Sequence, residues 1–497
     1  MIFTIICASC VFTSQISKLV IILFIVLSAI LFFILFLCLK KNYLLLLFVI
    51  SVICLIPVLS IYVKSVKIEQ NNKLISENCV YAGKIYDMVE NLDDNKIILY
   101  LSNVEMITEN KSSKFYGNIY VYLNANGVDT SKLKIGGFVK IRNSNLTALN
   151  LSNNSGKDRS FISRNITAIS YAYSFNLQIE DKISLTLRDK VKNNVYKSFE
   201  KTNTSFTNIG FAMMFGETSA LDDDIYDIFK GAGIAHLLAV SGFHVSLIVG
   251  FLSIILTKLK TNKKLKLSII TILLIIYAYL CSFSVSVIRA SLMSLLYIYS
   301  QNKNKEYDRL SSLSLVACVI LLFAPMQLFN ISFILSFVSI LSIIFLMPIF
   351  ERFLSKILHE KLSSSISISL AVCLGLSVFQ LYYFGNFPIL SIFSNIVTIP
   401  IVGGLFIFLM ISVIFGSMFN ISTYFINIFG FCIKYVIQFN NFIAKNGVFI
   451  NLENFAVIAM ALSLLVLFIA SDYLFVRKRV KIPVLLGLIF TLMLMMI

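Results

Sequence analysis

The chain has 497 residues, 58% of them hydrophobic and only 13% charged, with a formal net charge of +17. That balance lies far outside the range of soluble globular domains, and uncharged apolar runs of membrane length recur along it. A soluble enzyme or binding module is excluded, and a polytopic α-helical membrane protein is expected.

The first residues, MIFTIICASCVFTSQISK, lack a basic region and a small-residue cleavage site, so a cleaved signal peptide is not expected there. Two spans follow at about 19–39 and 43–63, joined at Lys40 and Lys41. Positive charge marks that turn as cytoplasmic, which brings the chain outside near Lys64.

Residues 64–205 are polar, with 20 Lys and Arg against 14 Asp and Glu. The runs CVYAGKIYDM, KIILYLSNVEMI, FYGNIYVYLN and LKIGGFVKIRNSNLTAL are rich in β-branched and aromatic residues and are parted by Asn, Asp and Gly turns. Four or five short strands of this kind predict a small β-barrel of the OB type, placed at 64–175 on the extracytoplasmic side. From Ile179 to about Phe206 the pattern predicts an amphipathic helix, so 176–230 is expected to link the β-domain to a transmembrane core at 231–450, with further spans at 451–497.

In the core, spans are expected near 231–256, 267–283, 286–301, 310–324, 331–350, 364–384, 389–417 and 420–440, with more at 454–476 and 482–497. The run from Leu362 to Ile433 holds no Asp, Glu, Lys or Arg and must cross at least twice. The basic stretches KLKTNKKLK, NKNKEYDR, ERFLSKILHEK and RKRVK all fall on one side, and about twelve spans satisfy them. The nine cysteines lie mostly in apolar runs and read as small core residues.

Three features of this core carry chemistry. Two of the three histidines, His236 and His244, flank Ser241 in GAGIAHLLAVSGFHVSLIVG. On one helix the imidazoles would stand about 80° apart, with Ser241 in reach of His244. A metal site would need outside ligands such as Glu217 or Asp222–Asp224, a serine nucleophile would need a base, and a polar lining of a water-filled path needs neither. Plain helix–helix hydrogen bonding is the fourth reading. Upstream, Gly231 and Gly233 are expected to break the chain between a surface helix and the span, at a pore entrance. Arg289, in SVSVIRASLMSLL, is the second feature: a guanidinium snorkelling to the interface and one facing a cavity both stay open, and the latter suits an anionic permeant. The third is FQLYYFGNFPILSIFSNIVTIP, where Gln380 and Asn395 interrupt an uncharged run and Pro388 and Pro400 are expected to break helices. In the outer domain Tyr81, Tyr86, Tyr100, Tyr116, Tyr120 and Tyr122 mingle with Lys140, Arg142 and other basic residues. Such a mixture can stack bases and attract phosphates, though tyrosine is also a common strand former.

GIAHLLAVSGFHV, from Gly233 to Val245, resembles the signature of the ComEC family of competence proteins. VIRASLM, the segment from Tyr307 to Ile340 and FPILSIFSNIVTIPIV are similar to later pieces of the family in the same order. The resemblance implies a cytoplasmic-membrane channel that takes single-stranded DNA into the cell during natural transformation. Its path would be lined by His236, Ser241, Gly242, His244, Arg289, Gln380, Asn395 and Glu217. It implies no cofactor, no metal and no catalytic residues, and as partners a membrane-tethered DNA receptor, a cytosolic helicase-like ATPase and the membrane lipids. Many members end in a metallo-β-lactamase-like domain whose HxHxDH pattern does not occur here, so degradation of the other strand would need a separate nuclease, or the chain is a shorter variant. The other readings are an intramembrane serine hydrolase using Ser241 and a small-anion transporter.

Overall fold

The computed structural model describes residues 41–451 except 76–78, 92–95, 109–110, 125–132, 143–144, 150–155, 201–205, 217–220, 385, 389, 420–421 and 448. The spans expected at 19–39, 454–476 and 482–497 lie outside the described residues. The chain divides into two compact units, residues 1–191 with 314–333, and 192–313 with 334–497.

The first unit opens with helix α1 (Lys41–Leu74) and continues into a sheet of β1 (Val80–Asn91), β2 (Lys96–Thr108), β3 (Lys111–Lys114), β4 (Asn118–Asn124), β5 (Gly137–Arg142), β6 (Asn145–Ala148), β7 (Ile166–Tyr173) and β8 (Leu177–Ile183). Alternation along each strand builds the core: Ile119, Val121 and Leu123 of β4 are buried with Leu99 and Leu101 of β2 and Val139 and Ile141 of β5. The strand order is β6-β7-β4-β2-β1-β5-β8, with β3 beside β2. β4 and β7 pair in parallel. A parallel pair needs a crossover, which β5, β6 and helix α2 (Gly156–Ser163) supply. α1 is tied to the sheet by Asn71, whose Nδ2 donates to Tyr116 O at 2.7 Å while its Oδ1 accepts from Tyr116 N–H at 3.0 Å.

A β-domain thus stands where the strand patterns predict one, but its details differ from the expectation. The sheet has eight strands, and among the described residues no pairing joins β6 to β8 to close a barrel. Residues 179–183, expected to be helical, belong to β8, because five residues of that strand pair with β5 and the ladder outweighs a weak local helix preference. The helix starts later, as α3 (Leu187–Glu200). Thr186 and Asp189 cap it reciprocally: Thr186 N–H donates to Asp189 Oδ2 at 2.9 Å and Asp189 N–H to Thr186 Oγ1 at 3.2 Å.

The second unit is helical: α4 (Thr207–Phe215), α5 (Asp223–Gly231), α6 (Gly242–Lys258), α7 (Lys263–Leu280), α8 (Val285–Asn302), α9 (Arg309–Phe323, shared with the first unit), α10 (Ile331–Leu354), α11 (Glu360–Phe384), α12 (Ser391–Phe419) and α13 (Ser422–Lys445). Among the described residues three helices are long and apolar enough to cross a membrane, α10, α11 and α12 as far as Val413; α6 and α9 are apolar but shorter. This is a membrane protein, and of about twelve expected spans three are matched by full-length apolar helices among the described residues. α12 runs without a break through Pro400, where a break was expected. Pro400 is exposed, so its ring points away from the packed face, and one lost N–H does not interrupt the helix.

Close approach fixes the packing. A Cβ on Gly375 of α11 would sit 1.9 Å from Ser342 Oγ and 2.5 Å from Ser342 Cβ of α10, so only glycine fits. α5 buries Ile225 and Phe229 in the cluster formed by α12 and α13, and exposes Asp224, Asp227 and Lys230. A two-stranded clip, β9 (Asn386–Pro388) with β10 (Phe449–Asn451), pairs the segment before α12 to the segment after α13.

Candidate functional site

The two imidazoles do not share a helix. α5 ends at Gly231, Gly233 adopts φ +73°, and Ala235–Leu237 form a single 3₁₀ turn carrying His236, which is exposed. A Cβ at Gly233 would sit 2.4 Å from Ser391 Cβ and 3.0 Å from Pro388 Cγ, so this turn lies hard against the start of α12. α6 begins only after Ser241, whose extended backbone makes it the N-cap. The continuous helix expected through Ser241 is therefore absent.

Ser241 and His244 form a capping box. His244 N–H bonds the Ser241 hydroxyl, and Ser241 N–H donates to His244 Nδ1 at 3.1 Å, with Ser241 Oγ 3.2 Å from the same nitrogen. A backbone N–H can only donate, so Nδ1 is an acceptor and the ring proton of the neutral imidazole sits on Nε2. That Nε2 is buried and has no partner. The ring is fully buried, with its centroid 4.6 Å from that of Phe406 in α12. The expected place for His244 on an open polar lining is thus taken by a packed, capping one. For a nucleophile the arrangement lacks an acid on Nε2, the third member that would orient a base. Among the described residues no group of three His, Cys, Asp or Glu is placed to hold a metal.

Arg289 of α8 reaches the same helix start. It is 4% exposed, its Nη1 donates to Ser336 O at 2.7 Å, and its guanidinium lies 5.8 Å from the Phe337 ring centre. A Cβ on Gly242 would meet Arg289 Nη2 at 2.7 Å, so the missing side chain of Gly242 is the space the guanidinium occupies. Arg289 Nε is buried without a partner, and no carboxylate among the described residues pairs with the group. Ser286 and Ser336 hydroxyls lie 3.4 Å apart beside it.

The third group lies along α11 to α13. Asn395 is buried; its Nδ2 is 3.5 Å from Cys373 Sγ and its Oδ1 has no partner. Gln380 is half-buried and Pro388 sits in β9. Asn440 of α13, which the sequence reading passed over, bonds Ser394 and donates to Thr398 Oγ1 at 2.9 Å, joining α13 to α12. Gln438, Asn440 and Asn441 interrupting the apolar residues of VIQFNNFIAK were the available signal. Glu217 lies outside the described residues.

In the sheet, Tyr81 is fully buried and its hydroxyl donates to Ser170 Oγ at 2.6 Å, so it has no face to offer a base. Tyr120 is buried between Tyr100 and Phe161. Tyr122 is half-buried and stacks at 5.1 Å and 8° on Tyr171, which is exposed, as are Tyr173 and Phe175, a second stacked pair at 5.6 Å. Those three exposed rings were not singled out from the sequence. Lys140 is half-buried and Arg142 exposed on β5. Burial, with Asp87 adding to it, pushes the Tyr86 phenol up to about 12, so the ring row at this end stays neutral.

A family model described as competence protein matches residues 213–478, more than half of the chain. The chain belongs to the competence-protein family. It is 29% identical over 194 residues to ComE operon protein 3 of Bacillus subtilis, covering 39% of this chain and 24% of that protein. It is 25% identical over 278 residues to Recombination protein 2 of Haemophilus influenzae, covering 52% of this chain and 34% of that protein. An uncharacterized protein of Aquifex aeolicus is 32% identical over 144 residues, covering 29% of this chain and 34% of that protein. The matches therefore span about a quarter to a third of these relatives' lengths. No solved structure matches the chain. Within this competence-family region, the Gly233–Val245 motif has a physical reading at each step: a left-handed glycine, an exposed imidazole, buried Leu237 and Leu238, a serine cap, a glycine under a guanidinium, and a histidine that completes the cap.

Proposed function

We propose that the protein conducts single-stranded DNA through the cytoplasmic membrane, as a multi-pass channel whose β-domain lies outside and gathers the strand. The observation that carries this is the family motif folded as a broken helix within the membrane unit, with His236 exposed and Ser241 half-exposed where the chain turns in. A polyanion cannot enter hydrocarbon without a hydrated, donor-lined passage. His236, Ser241, Arg289 and Asn395 supply donors of that kind, while His244 shapes the turn that presents them. Tyr122, Tyr171, Tyr173 and Phe175 offer flat neutral rings for bases, with Arg142 and Lys140 on another strand of the sheet. A membrane-tethered receptor and a helicase-like ATPase complete the assembly in this reading.

The test is a transformation assay in the source organism with His236→Ala. The side chain is exposed, so the protein level should hold while DNA uptake falls at least tenfold. Uptake at the wild-type rate, with protein present, would reject the channel role of this turn.

A further inference from the structure

We infer that Gly242, the first turn of α6 and Arg289 form a coordination site for one phosphodiester group, an inference that rests on the strand-conducting reading above. A cation is unfavourable at a helix N-terminus, where the macrodipole is already positive. Yet Arg289 Nη2 lies against the first residue of the 17-residue helix α6, closer than a Cβ there would permit. Arg289 is 4% exposed, and Nη1 is satisfied by Ser336 O. Its Nε is buried and unpartnered, and no carboxylate among the described residues neutralises it.

Burying a charge in this way is costly unless an opposite charge joins it. Two positive elements facing one another are reconciled by an anion between them. The first intrahelical bond of α6 is Val245 N–H to Ser241 O at 3.4 Å, which leaves the Gly242 and Phe243 N–H groups without an intrahelical partner. Those two N–H groups with the free edge of the guanidinium make a donor set suited to phosphate oxygens. The box formed by Ser241 and His244 holds the first turn in place and already satisfies the third N–H, so the remaining donors are fixed before any ligand arrives. Ser241 is half-exposed, which leaves the helix start reachable. A single fixed guanidinium takes one phosphate at a time, so a strand would pass it one backbone unit after another.

The test is thermal unfolding of the purified full chain in non-ionic detergent at constant ionic strength. Sodium phosphate replaces sodium chloride in one arm, a short oligothymidylate is added in the second, and phosphatidylglycerol is mixed into the micelles in the third. Phosphate and the oligonucleotide are each expected to raise Tm by about 3 °C at saturation. Arg289→Met removes an unpaired buried charge, so its Tm without ligand is expected to equal or exceed that of the parent, and its ligand shift to vanish. Arg289→Lys keeps the charge without the planar fork and serves as the second variant, with a reduced shift. A phosphate shift that persists in Arg289→Met overturns the site; a shift with phosphatidylglycerol alone upholds a phosphodiester site but assigns it to lipid and rejects the strand as its occupant. Stabilisation by phosphate through Arg289 without any by the oligonucleotide upholds the anion site and rejects the DNA reading. No shift with either ligand, while His236→Ala still abolishes uptake, rejects the site and keeps the DNA reading.

Discussion

Replacing Ser241 separates a helix cap from a nucleophile. In Ser241→Ala the His244 N–H loses its side-chain acceptor, while the Ser241 N–H bond to His244 Nδ1 at 3.1 Å is retained. One of the two capping bonds is removed, and Ser241 is half-exposed, so water replaces part of the loss. The expected cost is about 1 kcal/mol, or about 2 °C in Tm for a chain of this size. Asparagine caps helices as well as serine does but has no hydroxyl. Ser241→Asn should therefore keep both the melting temperature and DNA uptake, whereas Ser241→Ala lowers the first and weakens the second in proportion. The assay is a melting curve in detergent beside a transformation frequency from the same allele. A Ser241→Asn protein that melts normally but takes up no DNA would refute capping as the serine's contribution to uptake and point to the hydroxyl itself.

His244→Gln should restore a capping box, since glutamine at that position accepts the same backbone N–H, while His244→Ala opens a cavity against Phe406 and costs about 2–4 kcal/mol in the same melts. Gly375→Ala should destabilise by about 1–3 kcal/mol through collision with Ser342, and Ser342→Gly in the double variant should recover most of it. Burial alone would raise the Asp189 carboxyl, but hydrogen bonds from Thr186, with Arg188 and Lys84 beside it, hold it below its usual 3.8. Its contribution is therefore present above that value and is lost as pH falls through the lower folded value. The Tm gap between the parent and Asp189→Asn should be constant above about pH 5 and close in stronger acid; a gap that widens on acidification would contradict the assignment. Tyr173→Ala should weaken oligothymidylate binding about tenfold in a fluorescence-anisotropy titration, while Tyr81→Phe leaves it unchanged.

Most of the β-domain is legible because β-branched and aromatic residues alternate between turn residues, as in KIILYLSNVEMI. β8 was not, since LQIEDKI carries three adjacent charges, Glu180, Asp181 and Lys182, where a strand pattern would alternate, and only its partner β5 decides the matter. The parallel β4–β7 pairing joins residues some fifty positions apart, and no local pattern encodes it. At the site, contact between Ser241 and His244 follows from their spacing, but a cap and a mid-helix pair share that spacing. The clue was the serine itself, a residue that favours helix starts, set before an apolar run. The approach of Gly242 to Arg289 spans 47 positions and depends on α6 and α8 packing together, so neither residue alone announces it. Pro400 misled because proline is a poor interior residue in water, whereas an exposed ring on a long apolar helix disturbs little.

The β9–β10 clip has a mechanical consequence. It fastens the two open ends of the α12–α13 hairpin, and just inside it Asn440 rivets the pair through Ser394 and Thr398. Neither helix can peel from the other without unzipping that buckle. In the proposed channel, α12 and α13 would therefore move as a single lever, with Phe406 and the wall behind His244 carried along.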